Sequence, residues 1–229
     1  MMKAGSLKQK WGLYLISAFV IMLIFMVKPM AKTDIPQLVN AAEKGDLASV
    51  QQLVEQGVNM EQRDPRLRTP LMAATNANQI TVARYLIEKG ADVNAKDGIQ
   101  DTPFLYAGAR GLQEILEMTL SHGADVSSIN RYGGTALIPA AERGHVKTVK
   151  TLIDAGVSVN HVNNLGWTAL IEAIILGDGS DKYAQIVTLL VEGGADVNLA
   201  DASGQSPLTL AKSKGYQNII DILEKAGAK

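Results

Sequence analysis

The sequence predicts an all-α repeat fold, a solenoid of about six helix-turn-helix units, on three observations. Thr69, Thr102, Thr135 and Thr168 stand 33 residues apart, and Ser206 takes the same place after a five-residue slip. Gly57, Gly90, Gly123, Gly156, Gly194 and Gly227 keep the same step and slip at the same point. Between these markers Leu71, Ala74, Val82, Leu86 and Ile87 return one period later as Phe104, Ala107, Ile115, Thr119 and Leu120, then as Leu137, Ala140, Thr148, Leu152 and Ile153. A fixed period of this length marks one supersecondary unit that cannot bury its apolar face alone and must stack on copies of itself.

The units fall at about 34–64, 65–97, 98–130, 131–163, 164–201 and 202–229, within a domain spanning 33–229. The first lacks a Thr-Pro opening but keeps Leu38, Ala41, Ala42, Gly45, Val50, Leu53 and Gly57, and puts Ser49 where inner units mostly carry an apolar residue. The second opens TPLMAAT and closes VARYLIEKGADVN; the third opens TPFLYAG and closes EILEMTLSHGADV. The fourth and fifth open TALIPAA and TALIEAI, and the sixth opens SPLTLAK and ends IIDILEKAGA. In each, the Thr or Ser hydroxyl is placed to cap a first helix, and Pro70, Pro103 and Pro207 fall at its first position, where a missing N–H costs nothing. The periodic glycines supply the left-handed residue that stops a second helix. Glu224 in the last unit replaces an apolar residue, as a terminal unit with one neighbour requires.

These runs resemble the ankyrin repeat, in which Thr-Pro-Leu-His opens a first helix, Leu-Leu-x-x-Gly-Ala-Asp ends a second, and a β-turn finger leads onward. The resemblance implies an ankyrin solenoid with fingers and a function in binding proteins along a concave face. The departures are informative. The family's His is Met72, Leu105, Ile138, Ile171 and Thr209, so apolar contact must replace its hydrogen bonds. The finger glycine is Gly133, Gly166 and Gly204, whereas Leu67 and Gln100 stand in its place in the first two fingers. A Cβ makes positive φ costly, so another turn is expected there. The slip falls inside ILGDGSDKYAQ and is expected to lengthen the loop between the two helices of the fifth unit over Gly177 to Lys182.

A different sequence precedes the repeats. Lys3, Lys8 and Lys10 lead into Trp11 to Val27, seventeen uncharged residues ended by Lys28 and Pro29. As a helix this run measures ~26 Å, near the hydrocarbon thickness of about 30 Å and longer than the usual signal-peptide segment of about 7–15 residues. Pro29 spoils the small-residue pattern upstream of Ala31, so residues 1–32 are expected to form an uncleaved signal anchor; a cleaved signal peptide is the alternative. The lysine excess ahead of the span keeps the N-terminus cytoplasmic. The expectation is an inner-membrane protein with its repeats in the periplasm, or, if cleaved, a periplasmic or secreted one.

The chain has no Cys, hence no disulfide and no thiolate metal site. Five of the 22 basic residues and none of the 23 acidic ones lie in residues 1–32, leaving 17 against 23, a net −6, for the repeats. An acidic domain without basic clusters is a poor nucleic-acid binder. His122, His145 and His161 lack metal-ligand spacing, and no P-loop or Gly-x-Ser-x-Gly pattern occurs. Asp178, Ser180 and Asp181 fall short of a calcium loop, and Glu172 or Asp181 would act alone as an enzyme's carboxylate. No catalytic residue, metal ligand, cofactor or small-molecule substrate is expected.

By register with the family, the finger slots are Arg66, Arg68, Ile99, Asp101, Arg131, Tyr132, Asn164, Trp167 and Gln205. The inner-helix slots are Asn76, Tyr106, Arg110, Glu142, Arg143, Glu172, Ile175 and Leu176. From these, Arg66, Arg68, Tyr106, Arg110, Arg131, Tyr132, Arg143, Trp167 and Glu172 are the expected partner-binding residues, since Tyr, Trp and Arg most often anchor interfaces. Trp167 and Tyr106 have packing between units as an alternative role, and Arg66 and Arg68 have simple solvation. The expected function is a non-enzymatic interaction module of the bacterial envelope, an inhibitor, immunity protein or scaffold; a secreted effector or a hydrolase-associated subunit are the alternatives.

Overall fold

Two short helices per period, each with one apolar stripe, can bury those stripes only against each other and against the next pair. A computed structural model describes residues 35–229 and shows this arrangement; the expected anchor at 11–27 lies outside the described residues. The inner helices are α1 (Gln37–Lys44), α3 (Pro70–Asn76), α5 (Pro103–Arg110), α7 (Leu137–Glu142), α9 (Ala169–Ile175) and α11 (Pro207–Lys214). The outer helices are α2 (Leu47–Glu55), α4 (Ile80–Glu88), α6 (Gln113–Ser121), α8 (Val146–Asp154), α10 (Asp181–Glu192) and α12 (Gln217–Lys225). Inner helices pack on inner helices and outer on outer along the array. Among the described residues, no helix is long and apolar enough to cross a membrane.

One continuous core runs from Leu38 to Leu223. The periodic positions form it: Leu71, Val82, Leu86, Phe104, Ile115, Leu137 and Leu152 are all fully buried. Thr119, a polar residue in that column, is also fully buried and donates its hydroxyl to the Leu116 carbonyl at 2.8 Å. Gly108 is required by a close approach of α5 to the next unit, because a Cβ there would stand 2.8 Å from the Ala136 Cβ.

The expected caps form in four units and fail in one. Thr69, Thr102, Thr168 and Ser206 accept the N–H of the third residue onward, at 3.1 to 3.2 Å. In those units the fourth residue onward donates to the same residue's carbonyl, as Tyr106 does to Thr102 and Glu172 to Thr168, both at 2.9 Å. The fourth residue after Thr135 is Pro139, which has no N–H to give. Helix α7 therefore starts one residue late, at Leu137, and the buried Thr135 hydroxyl has no partner. The sequence expectation that Thr135 caps its helix is corrected by this proline.

Each finger is closed by an acid or amide. Asp64, Asp97, Asn130, Asn163 and Asp201 accept, through Oδ1, the N–H groups two and four residues on, at 2.8 to 3.1 Å. That closure overrides local preference. Leu67 and Gln100 adopt φ of 58° and 68°, beside 71°, 78° and 79° at Gly133, Gly166 and Gly204, so the first two fingers keep the common turn instead of finding another. A left-handed non-glycine residue costs roughly 1–2 kcal/mol, partly offset by the freedom glycine has when unfolded. Gln100→Gly is expected to stabilise the protein by about 0.5–1 kcal/mol, read as a higher denaturation midpoint at unchanged m-value.

Side chains at the base of the fingers tie neighbouring units. Glu61 accepts the Asp92 N–H at 2.9 Å and Asn94 accepts the Asp125 N–H at 2.8 Å; Asn160 and Asn198 accept from Asp196 and Lys229 at 2.8 and 2.9 Å. Ser127, in the same register, turns back to Asp125 at 2.6 Å and reaches no neighbouring unit. There the ties are made elsewhere, by Gln113 of α6 to Thr151 and Thr148 of α8, at 2.8 and 3.1 Å, and by Arg143 to the Ala109 carbonyl at 2.6 Å.

The slip is shared between loop and helix. Residues 176–180 form the connection, and α10 runs twelve residues against nine in the other outer helices, so Asp181 and Lys182 are helical rather than loop residues. Tyr183 spans to the Glu142 carbonyl at 2.8 Å and Tyr216 to the Gly177 carbonyl at 2.9 Å, pinning the insertion to both neighbours.

Candidate functional site

The column that holds Pro139 places three dissimilar residues side by side, with Tyr106 on α5, Pro139 on α7 and Glu172 on α9. With Ala109, Arg110, Glu142, Arg143 and Leu176 one turn on, they floor a groove of about 490 Å³. The fingers wall it. Ile99, Asp101, Arg131, Tyr132, Leu165 and Trp167 line that side. The finger residues Ile99, Tyr132 and Leu165 occupy equivalent places in successive turns and are 47 %, 58 % and 58 % exposed, which makes an apolar ridge along the tips.

Three carboxyl and three guanidinium groups line the groove, and one of them, Glu172, is buried. Glu172 is only 6 % exposed; Asn163 Nδ2 donates to its Oε1 at 2.8 Å. Burial first, and then the neighbouring Glu142 carboxylate, push its pKa up to about 7, against the opposing pull of Asn163 and Arg143. Asp101 is also raised, by burial and by Asp97, with Arg131 and Arg143 opposing. The arginines are partly engaged: Arg143 donates to the Ala109 carbonyl at 2.6 Å, and the Arg131 guanidinium lies 4.6 Å from the Tyr132 ring centroid and donates to its hydroxyl at 2.9 Å.

Linkage fixes the sign of the Glu172 contribution. Between its unperturbed pKa of 4.5 and its folded value of about 7, the native state keeps a proton that the unfolded chain has released. Stability therefore falls as pH rises through that window and stays reduced above it. Glu172→Gln keeps an acceptor for Asn163 and removes the charge, so it is expected to stabilise by about 1–3 kcal/mol at pH 8. Urea melts of the two proteins should converge by about pH 4, below both pKa values.

Seven of the nine sequence-nominated residues, Tyr106, Arg110, Arg131, Tyr132, Arg143, Trp167 and Glu172, line this one groove. Trp167 and Tyr106 are half-buried, and Trp167 packs against the core, so it is structural as well as accessible. Arg66 lies exposed on the first finger, beside a second depression of about 740 Å³ that also reaches Ile99 and Tyr106. Arg68 is turned inward: it is 6 % exposed and bonded to Asp64 and Glu43, which removes it from the surface offered to a partner. Glu172 is likewise floor rather than rim. Leu165 and Asn163 were missed from the sequence, and Thr135 was named there only as a cap. The periodic Asp or Asn at 64, 97, 130, 163 and 201 was the available signal for the finger closures, and Pro139 was the signal for the failed cap.

The family model described as "Ankyrin repeats (3 copies)" matches residues 38–130 and 104–201. A solved ankyrin repeat domain from Acinetobacter baumannii AYE is 60 % identical, with a TM-score of 0.82 over 84 % of this chain and 98 % of that one. The ankyrin repeat protein EF0377 is 41 % identical, with a TM-score of 0.80 over 86 % and 99 % of the two chains. The ankyrin repeat domain of Bcl-3, a member of the IkappaB protein family, is 27 % identical at a TM-score of 0.76, over 87 % and 89 %. A putative ankyrin repeat protein of Escherichia coli K12, YahD, is 47 % identical over 57 residues, a match spanning 25 % of this chain and 28 % of that protein.

Proposed function

Since this chain belongs to the ankyrin-repeat family, we propose that it is a membrane-anchored binding protein of the bacterial envelope, which holds a protein partner in the groove between its fingers and inner helices. Ankyrin repeats are protein-protein interaction modules and typically non-catalytic scaffolds. The observation that carries the reading is the groove itself, where exposed Tyr132 and Leu165 stand over half-buried Tyr106 and Trp167. Aromatic residues around a partly desolvated floor are what interface anchors require. The apolar run at Trp11–Val27 with its preceding lysines supports an inner-membrane anchor that leaves the repeats in the periplasm, and the relatives from Acinetobacter and Escherichia support a bacterial source. In that place the protein serves as an inhibitor, an immunity protein or a scaffold for a second envelope protein.

The test is capture from envelope extract by the full chain in detergent, with partners identified by mass spectrometry. The double variant Tyr132→Ala/Leu165→Ala removes exposed side chains and is expected to fold normally while losing its partner by about 2 kcal/mol or more. Asp178→Ala/Asp181→Ala, at the insertion, is expected to retain it. The reverse pattern would move the site to the insertion. Protease added to spheroplasts should digest the repeats; protection, or a mature N-terminus near Lys32, would overturn the topology or the anchor.

A further inference from the structure

Three carboxyl groups, Asp101, Glu142 and Glu172, line one groove, and among the described residues none of the three has a Lys, Arg or His nitrogen within ion-pairing distance. Buried Asp64 shares Arg68 with Glu43, at 2.8 Å each, whereas Asp97, buried without an ion pair, accepts two finger N–H groups through Oδ1. Glu172 has neither a counter-ion nor a pair of backbone donors. It is 94 % buried by its 6 % exposure, one oxygen is held by Asn163, and the other accepts no hydrogen bond. A buried charge left without a counter-ion destabilises the protein that carries it, and a cation delivered to it recovers that loss as binding. None of the groove arginines, Arg110, Arg131 and Arg143, comes within ion-pairing distance of Glu172; Arg143 donates to the Ala109 carbonyl and Arg131 to the Tyr132 hydroxyl. The repeat region as a whole carries a net −6, which draws basic partners toward it.

We propose that the groove is a receptor for one lysine or arginine side chain of the partner, its cationic head taken by Glu172 and its flanking apolar residues laid along Ile99, Tyr132 and Leu165. The half-buried ring of Trp167, in the same unit as Glu172, lines the groove and offers a face to the methylene stem, and Tyr106 lines it two units away. Pro139, set between Tyr106 and Glu172 in the column, adds an apolar ring to the lining. The inference rests on the groove being the protein-binding surface.

Trp167 supplies the readout. The chain has two tryptophans, Trp11 and Trp167, so the full chain carrying Trp11→Phe, in detergent, reports on the groove alone. The probes are the capped tripeptides Leu-Lys-Leu, Leu-norleucine-Leu and Leu-Glu-Leu. The lysyl peptide is expected to give a saturable fluorescence change below about 10 mM at pH 8, with the norleucyl and glutamyl peptides at least about tenfold weaker. Glu172→Gln should weaken the lysyl peptide about tenfold without unfolding, and the lysyl affinity should fall as pH drops from about 8 to 6 and Glu172 takes up its proton. The charged groups acting on Glu172 are Glu142, the last residue of α7, and Arg143 just after it, while Lys214 of α11 is held at the Ile175 carbonyl, 2.9 Å away. His145, whose pKa burial and then Arg143, Lys182 and Arg110 depress, follows α7, so His145→Gln is run in parallel and should leave the pH dependence in place.

Equal binding of the lysyl and norleucyl peptides, a preference for the glutamyl peptide, no saturable response, or an unchanged Glu172→Gln affinity would each overturn the proposal. Its failure is separable from that of the binding surface: a captured partner lost by Tyr132→Ala/Leu165→Ala but kept by Glu172→Gln retains the groove and removes the cation.

Discussion

Phe104→Ala is expected to cost about 3–5 kcal/mol, the largest loss of any single truncation in this chain. Phe104 is fully buried at the start of α5, and its ring sits in the middle of the array, where inner helices from the second and fourth units close over the third. Removing it leaves a cavity that three units line. In a stack where each unit contacts only its neighbours, the damage extends one unit to each side, so amide exchange should rise in α3 and α7 as well as α5. Leu165→Ala is the control: an exposed apolar residue of similar volume, it is expected to stay within about 0.5 kcal/mol of the parent. Equal effects from the two would mean that the column through Phe104 is not the core.

Arg68→Ala is expected to cost about 2–4 kcal/mol, somewhat below the range for a fully enclosed ion pair because Glu43 still reaches solvent. The guanidinium bridges two units: Nε donates to Asp64 Oδ2 at 2.8 Å, while Nη1 and Nη2 donate to Glu43 at 2.8 and 3.2 Å. Its removal strands Asp64, which is 4 % exposed. A lysine cannot reproduce the fork, so Arg68→Lys should recover only part of the loss. Asp64→Asn separates charge from turn closure, since Asn130 and Asn163 close the same turn in later fingers, and it should cost less than Arg68→Ala. The Arg68 bond holds Glu43 below the usual carboxylate range, so its share of the stability is present above the unperturbed value and disappears as pH falls through the lowered one. Thermal melts across that acid window on parent and variant check the sign.

How much of this was readable in the sequence differs by level. The period gave the unit count, the helix pairing and the buried column, because a side chain that must pack against its own copy is constrained to recur. Finger conformation was misjudged at Leu67 and Gln100: local preference argued for a different turn, and the Asp64 and Asp97 closures prevailed. Seven of the nominated residues share one groove, since the slot fixes a position along it. Direction was not fixed. Arg68 looked like a rim arginine until Glu43, a residue of the preceding unit, was seen to claim it, and a distance between units is not written in either unit alone. Glu172 was named for its slot, and its burial came from the neighbouring finger through Asn163.

The break in the ladder at Ser127 has a mechanical meaning. Under tension along its axis the array behaves as a spring of six coils, and each rung through Glu61, Asn94, Asn160 or Asn198 stiffens one coil gap by fastening a backbone amide of the next unit. Between the third and fourth coils no such fastening exists, and the load passes through side chains, Gln113 on Thr148 and Thr151 and Arg143 on the Ala109 carbonyl, which rotate about their own bonds. The compliant gap adjoins the coil already slackened by Pro139, and it underlies Tyr106 on one side and Pro139 on the other. Pulling on the termini in an optical trap should open that gap first. Gln113→Ala should lower the yield force of the first rip and leave the later ones where they were.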